Sequence, residues 1–297
     1  MVSPEMEGVK AQLREFQSKA ELTVEASRAG LEGLASLTGL PRGVKKESTM
    51  AGNVPAKWFW FPGCLENKVI LYLHGGGYVA GSINTHKDLG ARIAQASNVR
   101  LLIIDYRLAP EQPFPAALED AVTAYQWLIS TEGILPENVV IAGDSAGGGL
   151  TAATLVKLRD DGITLPAAAV MLSPWTDLAQ TGDSIKLKAA EDPFIRPEEL
   201  DFDANLYKGD DNAENPLISP LYANLEGLPP MLIHVGTAEI LLDDAVRFTE
   251  RARTAGVDVT LEIWPDMVHV FQAFAIVAPE SREAIEKIGE FIKNFLV

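Results

Sequence analysis

Val139-Val140-Ile141-Ala142-Gly143-Asp144-Ser145-Ala146-Gly147 is the stretch whose reading decides the fold. The apolar opening predicts a buried strand, and Gly-x-Ser-x-Gly closes it on a sharp turn that sets the serine out on a strained elbow. The small residues Gly147-Gly148-Gly149-Leu150-Thr151-Ala152-Ala153 then predict a helix able to pack close to a sheet. The Gly-x-Ser-x-Gly spacing alone is weak evidence, arising by chance roughly one time in ten in a chain of this size. Its position between a strand and a helix gives it meaning.

A second motif, His74-Gly75-Gly76-Gly77, follows another apolar run, Val69-Ile70-Leu71-Tyr72-Leu73. Chance occurrence of that tetrapeptide is on the order of a few in a thousand. Bare glycines leave backbone N–H groups free to point at a developing oxyanion.

Outward from these motifs, strands and helices alternate. Apolar strands are predicted at 68–74, 100–105, 138–143, 167–172 and 230–236, with helical patterns at about 85–97, 114–131 and 147–161 between them. Strands apolar on nearly every position belong to a mostly parallel sheet with helices on both faces. Val44 to Thr49 and Lys57 to Phe61 read as an antiparallel pair turning at Gly52-Asn53-Val54-Pro55. Val257 to Trp264 alternates and reads as an edge strand, and Glu280 to Phe295 as a closing helix. Residues 1 to about 40 read as helical, with apolar stripes Val9, Leu13, Phe16, Ala20 and Leu31, Leu34, Leu37. The long connection from Pro174 to Leu228, with helical signals near 184–190 and 197–207, is an insertion with its own task. Residues 1–45 are expected to be N-terminal cap helices and 179–212 a cap insertion. Segments 46–178 and 213–297 would make one catalytic core.

At 297 residues and 47% hydrophobic content the chain can bury a large single core. Twenty-five Lys and Arg against 41 Asp and Glu leave a net charge of −16, which disfavours nucleic acid and anionic lipid as partners. The acids concentrate between Glu191 and Asn215, nine of them against Arg196 and Lys208. A solvated helix face explains them more simply than a lure for cationic substrates. The single cysteine, Cys64, suits a reducing compartment. The charged opening stretch does not resemble a signal peptide, and the longest apolar run, Leu165 to Leu172, is too short to span a bilayer. A cytoplasmic protein with no membrane association is expected. No metal-ligand spacing appears and no cofactor is implied.

A serine nucleophile needs a histidine base, and the base an orienting carboxylate. Of the four histidines, His74 belongs to the glycine loop, His86 reads as solvated and His234 as a core or strand-end residue. His269, in the loop after the last strand, is the one downstream of a candidate acid, in the order serine, acid, histidine. Past the strand ending at Gly236, the candidate acids are Glu239, at the strand-to-helix turn, and Asp243. Asp244, like Asp243, reads as a capping or surface acid of the next helix.

With these residues assembled, the chain resembles, along nearly its whole length, the bacterial hormone-sensitive-lipase-like esterases, the family IV, HGGG-bearing branch of the α/β-hydrolases. Besides the two motifs it carries Asp105-Tyr106-Arg107-Leu108-Ala109-Pro110-Glu111, Phe114-Pro115-Ala116-Ala117 with Asp120, and Ser173-Pro174-Trp175-Thr176-Asp177-Leu178. Several members have an aspartate in Asp-Pro-Leu-x-Asp as the acid; here Glu239-Ile240-Leu241-Leu242-Asp243 sets Glu239 at that position. The resemblance implies an α/β-hydrolase fold with a helical cap and a catalytic triad of Ser145, Glu239 and His269. It also implies an oxyanion hole from the backbone N–H groups of Gly76, Gly77 and Ala146, braced by His74. Arg107 with Asp105 or Glu111 would be structural, and Trp175 a core residue.

The implied activity is hydrolysis of short- to medium-chain carboxylic esters through an acyl-enzyme. Amidase or deacetylase activity on small molecules uses the same machinery and is the alternative within enzymes. Plant gibberellin receptors resemble the family but have lost the catalytic histidine; the presence of His269 favours an enzyme. The exposed edge at 257–264 could pair with its copy in a homodimer.

Overall fold

Each apolar run predicted as a strand forms one, in a computed structural model that describes residues 2–19, 21–36 and 38–296. Ala20 and Leu37, assigned above to the N-terminal stripes, lie outside the described residues. The N-terminal region is two helices, α1 (Pro4–Lys19) and α2 (Val24–Ala35). Thr23 starts the second by accepting a hydrogen bond from Ala26 N at 3.1 Å.

The hairpin β1 (Lys45–Ala51) and β2 (Val54–Trp60) leads into β3 (Leu65–Leu73), β4 (Val99–Ile104), β5 (Val139–Asp144), β6 (Ala168–Leu172), β7 (Met231–Gly236) and β8 (Val259–Trp264). They make an eight-stranded sheet in the order β1-β2-β4-β3-β5-β6-β7-β8. Pairing is antiparallel at β1–β2 and β2–β4 and parallel across the rest. The hairpin turn is tighter than expected. Ala51 pairs with Val54, so Gly52-Asn53 alone turn the chain, and Val54 and Pro55 are strand.

Helices α3 (Ile83–Ser97), α4 (Ala116–Ser130) and α5 (Ala146–Asp160) make the first crossovers. Ser82 and Thr85 form a capping box that starts α3, and Asn98 ends it in the left-handed conformation at φ 57°. Side chains alternate between the two faces of each strand, and both faces are covered. Ile70, Tyr72 and Val140 pack with Leu89 and Ile93 of α3 and with Ile288 and Ile292 of α9 (Pro279–Phe295). Leu71, Leu73 and Ile141 pack with Leu128 of α4, Leu150 of α5 and Phe248 of α8 (Leu242–Thr254). Two covered faces explain why these strands read as unbroken apolar runs. Each fully buried aliphatic side chain contributes about 1.5–3 kcal/mol, and truncating Leu71 to alanine would cost about 2–5 kcal/mol. Helix α5 lies so near β3 that a Cβ added at Gly147 would stand 2.0 Å from Leu73 O. Only glycine permits that approach.

The strand at the far edge departs from simple alternation. Val259 is buried as expected, but Ile263 is 46% exposed, while Glu262 is held toward α9 by Lys287 Nζ at 3.2 Å. Arg107 also differs from expectation. It pairs with Asp120, both from its backbone N–H at 2.8 Å and from Nε at 3.0 Å. Asp105 instead accepts from Ile83 N, and Glu111 pairs with Arg28 of α2.

Segment 179–212 holds the one-turn helix α6 (Ser184–Leu187), shorter than predicted, and α7 (Pro197–Lys208). Pro197 opens α7, and Glu199 accepts from Arg196 N at 3.0 Å. On the opposite flank Met6, Val9 and Leu13 of α1 pack against Met267, Val268 and Phe271, around the loop that carries His269. No helix among the described residues is long and apolar enough to cross a membrane.

Candidate active site

The carboxyl ends of β3, β5, β7 and β8 carry the predicted groups. Ser145 sits between β5 and α5 at φ 53°, ψ −122°, a conformation an L-residue adopts only under constraint. Its backbone is fixed on both sides. Ser145 N donates to Leu172 O at 2.8 Å, and Trp175 N donates to Ser145 O at 2.9 Å. The side chain lines a cavity of about 220 Å³ that His269 also lines.

His269 Nδ1 and Glu239 Oε2 are 2.8 Å apart, and both residues are buried. Burial alone would push the imidazole pKa down. The hydrogen bond and charge of Glu239, with the charges of Asp192 and Asp144, carry it above its ordinary value. Nε2 has no hydrogen-bond partner among the described residues. Glu239 is itself held: Oε1 accepts from Gly236 N at 2.6 Å and from Ser173 Oγ at 2.8 Å. Asp243, the other candidate acid, accepts from Ser184 N at 2.9 Å and does not meet His269. Asp244 is fully buried rather than a surface acid, and accepts from Thr176 N and Asp177 N at 2.7 and 2.8 Å.

The backbone N–H groups of Gly76, Gly77 and Ala146, near Ser145, have no acceptor among the described residues. Gly76 and Gly77, at φ 119° and 64°, line the cavity, and Ala146 follows Ser145 at the first turn of α5. A helix N-terminus adds its partial positive charge there. Beneath the glycine loop, His74 stacks on Tyr106 with ring centroids 4.2 Å apart, and its Nδ1 lies 2.8 Å from Gly75 O. Burial pushes His74 down to about 3, so it is neutral at ordinary pH.

Asp144 ties the serine's elbow to that loop. Oδ1 accepts from Tyr72 Oη at 2.8 Å and Gly75 N at 3.2 Å, and Oδ2 lies 3.2 Å from His86 Nε2. Burial pushes this carboxyl up, but His86 and Tyr72 more than reverse it and hold it below its ordinary value. His86 is therefore not a solvated residue; it is largely buried, and although burial pushes its pKa down, the charge and hydrogen bond of Asp144, with the backbone of Ser82 and the charge of Glu32, together raise it. His234, expected in the core, is fully buried.

Sequence reasoning missed four functional neighbours. Ser173, at the end of β6, donates to Glu239 and accepts from Val270 N at 3.1 Å, bracing acid and histidine loop together. Asp192 and Asp203, grouped above with solvated acids, lie inward. Asp192 is 3% exposed and fastens segment 179–212 by accepting from Ile240 N, next to Glu239, at 2.9 Å. Burial raises its pKa to about 6, against the charge of His269 and its three backbone hydrogen bonds. Asp203 lines the cavity. Trp175 is fully buried, as a core residue should be, yet also lines the cavity. The signal for Ser173 was present in its motif. For the acids, only the apolar neighbours Phe194, Ile195 and Leu200 hinted that this polar segment turns a face inward.

The remaining lining is mostly apolar, with Phe16, Leu31 and Leu34 of the N-terminal helices facing Phe194, Ile195 and Leu200. No group of three or more His, Cys, Asp or Glu side chains is arranged to hold a metal among the described residues.

A mostly parallel sheet with a serine on a strand-to-helix elbow and a carboxylate–histidine pair at its carboxyl edge defines a hydrolase class. Residues 70–273 match the family described as alpha/beta hydrolase fold. An acetyl-hydrolase of Streptomyces hygroscopicus is 40% identical over 298 residues, covering 99% of this chain and 98% of that protein. The crystal structure of an esterase from the bacterial hormone-sensitive lipase family superposes with a TM-score of 0.97 at 46% identity, covering 100% of both chains. The esterase EstE5, in a crystal soaked with p-nitrophenyl butyrate, superposes with a TM-score of 0.94 at 45% identity over 99% of each chain. The chain belongs to the α/β-hydrolase family and, within it, to the bacterial hormone-sensitive-lipase group of esterases.

Proposed function

We propose that the protein hydrolyses short- to medium-chain carboxylic esters through an acyl-enzyme. Ser145 is the nucleophile, His269 the base and Glu239 the acid that orients it. Gly76, Gly77 and Ala146 supply the oxyanion hole. The observation that carries this reading is the set of three unpartnered N–H groups around a serine that shares its cavity with a carboxylate-bound histidine.

His269 Nε2 removes the Ser145 proton as Oγ attacks the ester carbonyl, and the imidazolium is stabilised by Glu239. Negative charge collects on the carbonyl oxygen, where each backbone donor contributes about 3 kcal/mol. The tetrahedral intermediate collapses as His269 protonates the leaving alcohol. Water then attacks the acyl-serine with His269 again as base, which releases the acid and restores the hydroxyl. Helices α1 and α2 and segment 179–212 act as the cap, and their apolar side chains exclude water and set the length of chain admitted. A cavity of about 220 Å³ supports small esters. The outer edge of β8, with Ile263 46% exposed, supports pairing with a second copy, which light scattering tests.

Purified protein is expected to turn over p-nitrophenyl butyrate, the ester soaked into EstE5, and Ser145→Ala to lose on the order of 10⁶ in kcat. Retention of most of the activity by that variant would end the proposal.

A further inference from the structure

Among the acids buried or half-buried around the cavity, one has no partner. Asp203, on cap helix α7, lines the cavity with Ser145 and His269. Its carboxyl lies against the oxyanion loop, since a Cβ added at Gly77 would stand 1.9 Å from Oδ2. The other acids are engaged: Asp144 with Tyr72 and His86, Asp88 with Arg92, and Glu199 with Arg196. Among the described residues no hydrogen bond or ion pair meets Asp203 and no lysine or arginine side chain lines the cavity.

We propose that Asp203 determines specificity, its carboxylate selecting esters that carry a cationic, ammonium-type group. The proposal rests on the esterase reading above. An acid largely removed from water and without a counter-charge is costly to ionise. Burial, and then the charge of Glu199, push the Asp203 carboxyl up to about 8. A substrate ammonium supplies the missing counter-charge in a partly buried site, where the attraction is stronger than in bulk water. A neutral substrate of the same shape gains nothing from the carboxylate.

Titration gives this a signature. The cavity around Asp203 also presents Glu199 from α7, His269 from the loop after β8, His86 and Asp88 from α3, Asp144 from β5 and Glu21 from the turn before α2. His269 acts equally on both members of an isosteric ester pair, so its titration cancels in their ratio. As pH rises through about 8, Asp203 loses its proton and the preference for the cation grows.

The test compares kcat/KM for butyrylcholine with that for its carbon isostere, in which tert-butyl replaces trimethylammonium. A second pair carries the same exchange at the end of the acyl chain of an ethyl butyrate. Both are measured from about pH 6.5 to about pH 9, a span that brackets the carboxyl's raised value. In the parent protein the cation-to-neutral ratio of at least one pair is expected to rise about tenfold across that span. In Asp203→Asn, isosteric but unable to ionise, the ratio should fall about tenfold at the alkaline end and stay flat with pH. Ratios flat with pH for both pairs in the parent protein overturn the proposal, whether or not the variant folds. An unchanged ratio in Asp203→Asn overturns it too. Failure of the parent protein to hydrolyse either neutral isostere overturns instead the esterase reading on which it rests.

Discussion

The Ser173 hydroxyl donates to Glu239 Oε1 at 2.8 Å, on the far side of the carboxylate from His269. The same hydroxyl accepts from Val270 N, one residue beyond that histidine. One side chain at the end of β6 thus fixes the Glu239 carboxylate and the backbone next to His269.

Ser173→Ala should therefore lower kcat on p-nitrophenyl butyrate by about tenfold, as the acid and the histidine loop lose a shared brace. It should also destabilise the fold by about 1–3 kcal/mol, because the buried Val270 N–H loses its acceptor. Initial rates and urea unfolding curves measure the two effects separately.

The two candidate acids should behave differently. Glu239→Gln should cost about 10³–10⁴ in kcat, as in triads whose orienting carboxylate is neutralised. Asp243→Asn should change kcat by less than about threefold, since Asp243 meets Ser184 rather than the histidine. The pH profile adds a sign. Glu239 favours charged His269, so the acid limb of wild-type kcat/KM should have its midpoint above the ordinary histidine value of about 6.5. In Glu239→Gln the midpoint should move down.

His86 should show itself in stability. Its pKa is raised in the folded protein, despite burial, by the charge and hydrogen bond of Asp144. Such a group stabilises fully below its unfolded value, and the contribution fades as pH rises through the folded one. The Tm gap between parent and His86→Ala should therefore be wider at about pH 6 than at about pH 9. The cavity left by the missing ring does not depend on pH and drops out of the comparison. Calorimetry at the two pH values decides it.

The sheet and the meeting of Glu239 with His269 were legible because they rest on local pattern. Both faces of β3, β5, β6 and β7 are covered, so their residues had to be apolar, and the runs predicted every strand to within a few residues. His269 followed from chain order, and Glu239 from its position one turn before Asp243. Partnerships made across the fold were not legible. Nothing beside His86 announces that it meets Asp144, 58 residues on, and nothing beside Arg107 selects Asp120 over Asp105. Asp192 and Asp203 sit among acids that do face water, such as Glu191 and Asp201, and which way each turns depends on how segment 179–212 packs over the sheet. Ile263 follows the apolar alternation, on the face of Val259 and Leu261, but lies exposed near the end of β8.

The central claim is that Ser145 carries the acyl group between the two halves of the reaction. Protein mixed with p-nitrophenyl butyrate and quenched in acid within one turnover, then digested and weighed, tests it most directly. The account predicts one butyryl group on the peptide that contains Ser145 and none elsewhere. An unmodified Ser145 peptide at a time when nitrophenol has already been released would contradict it.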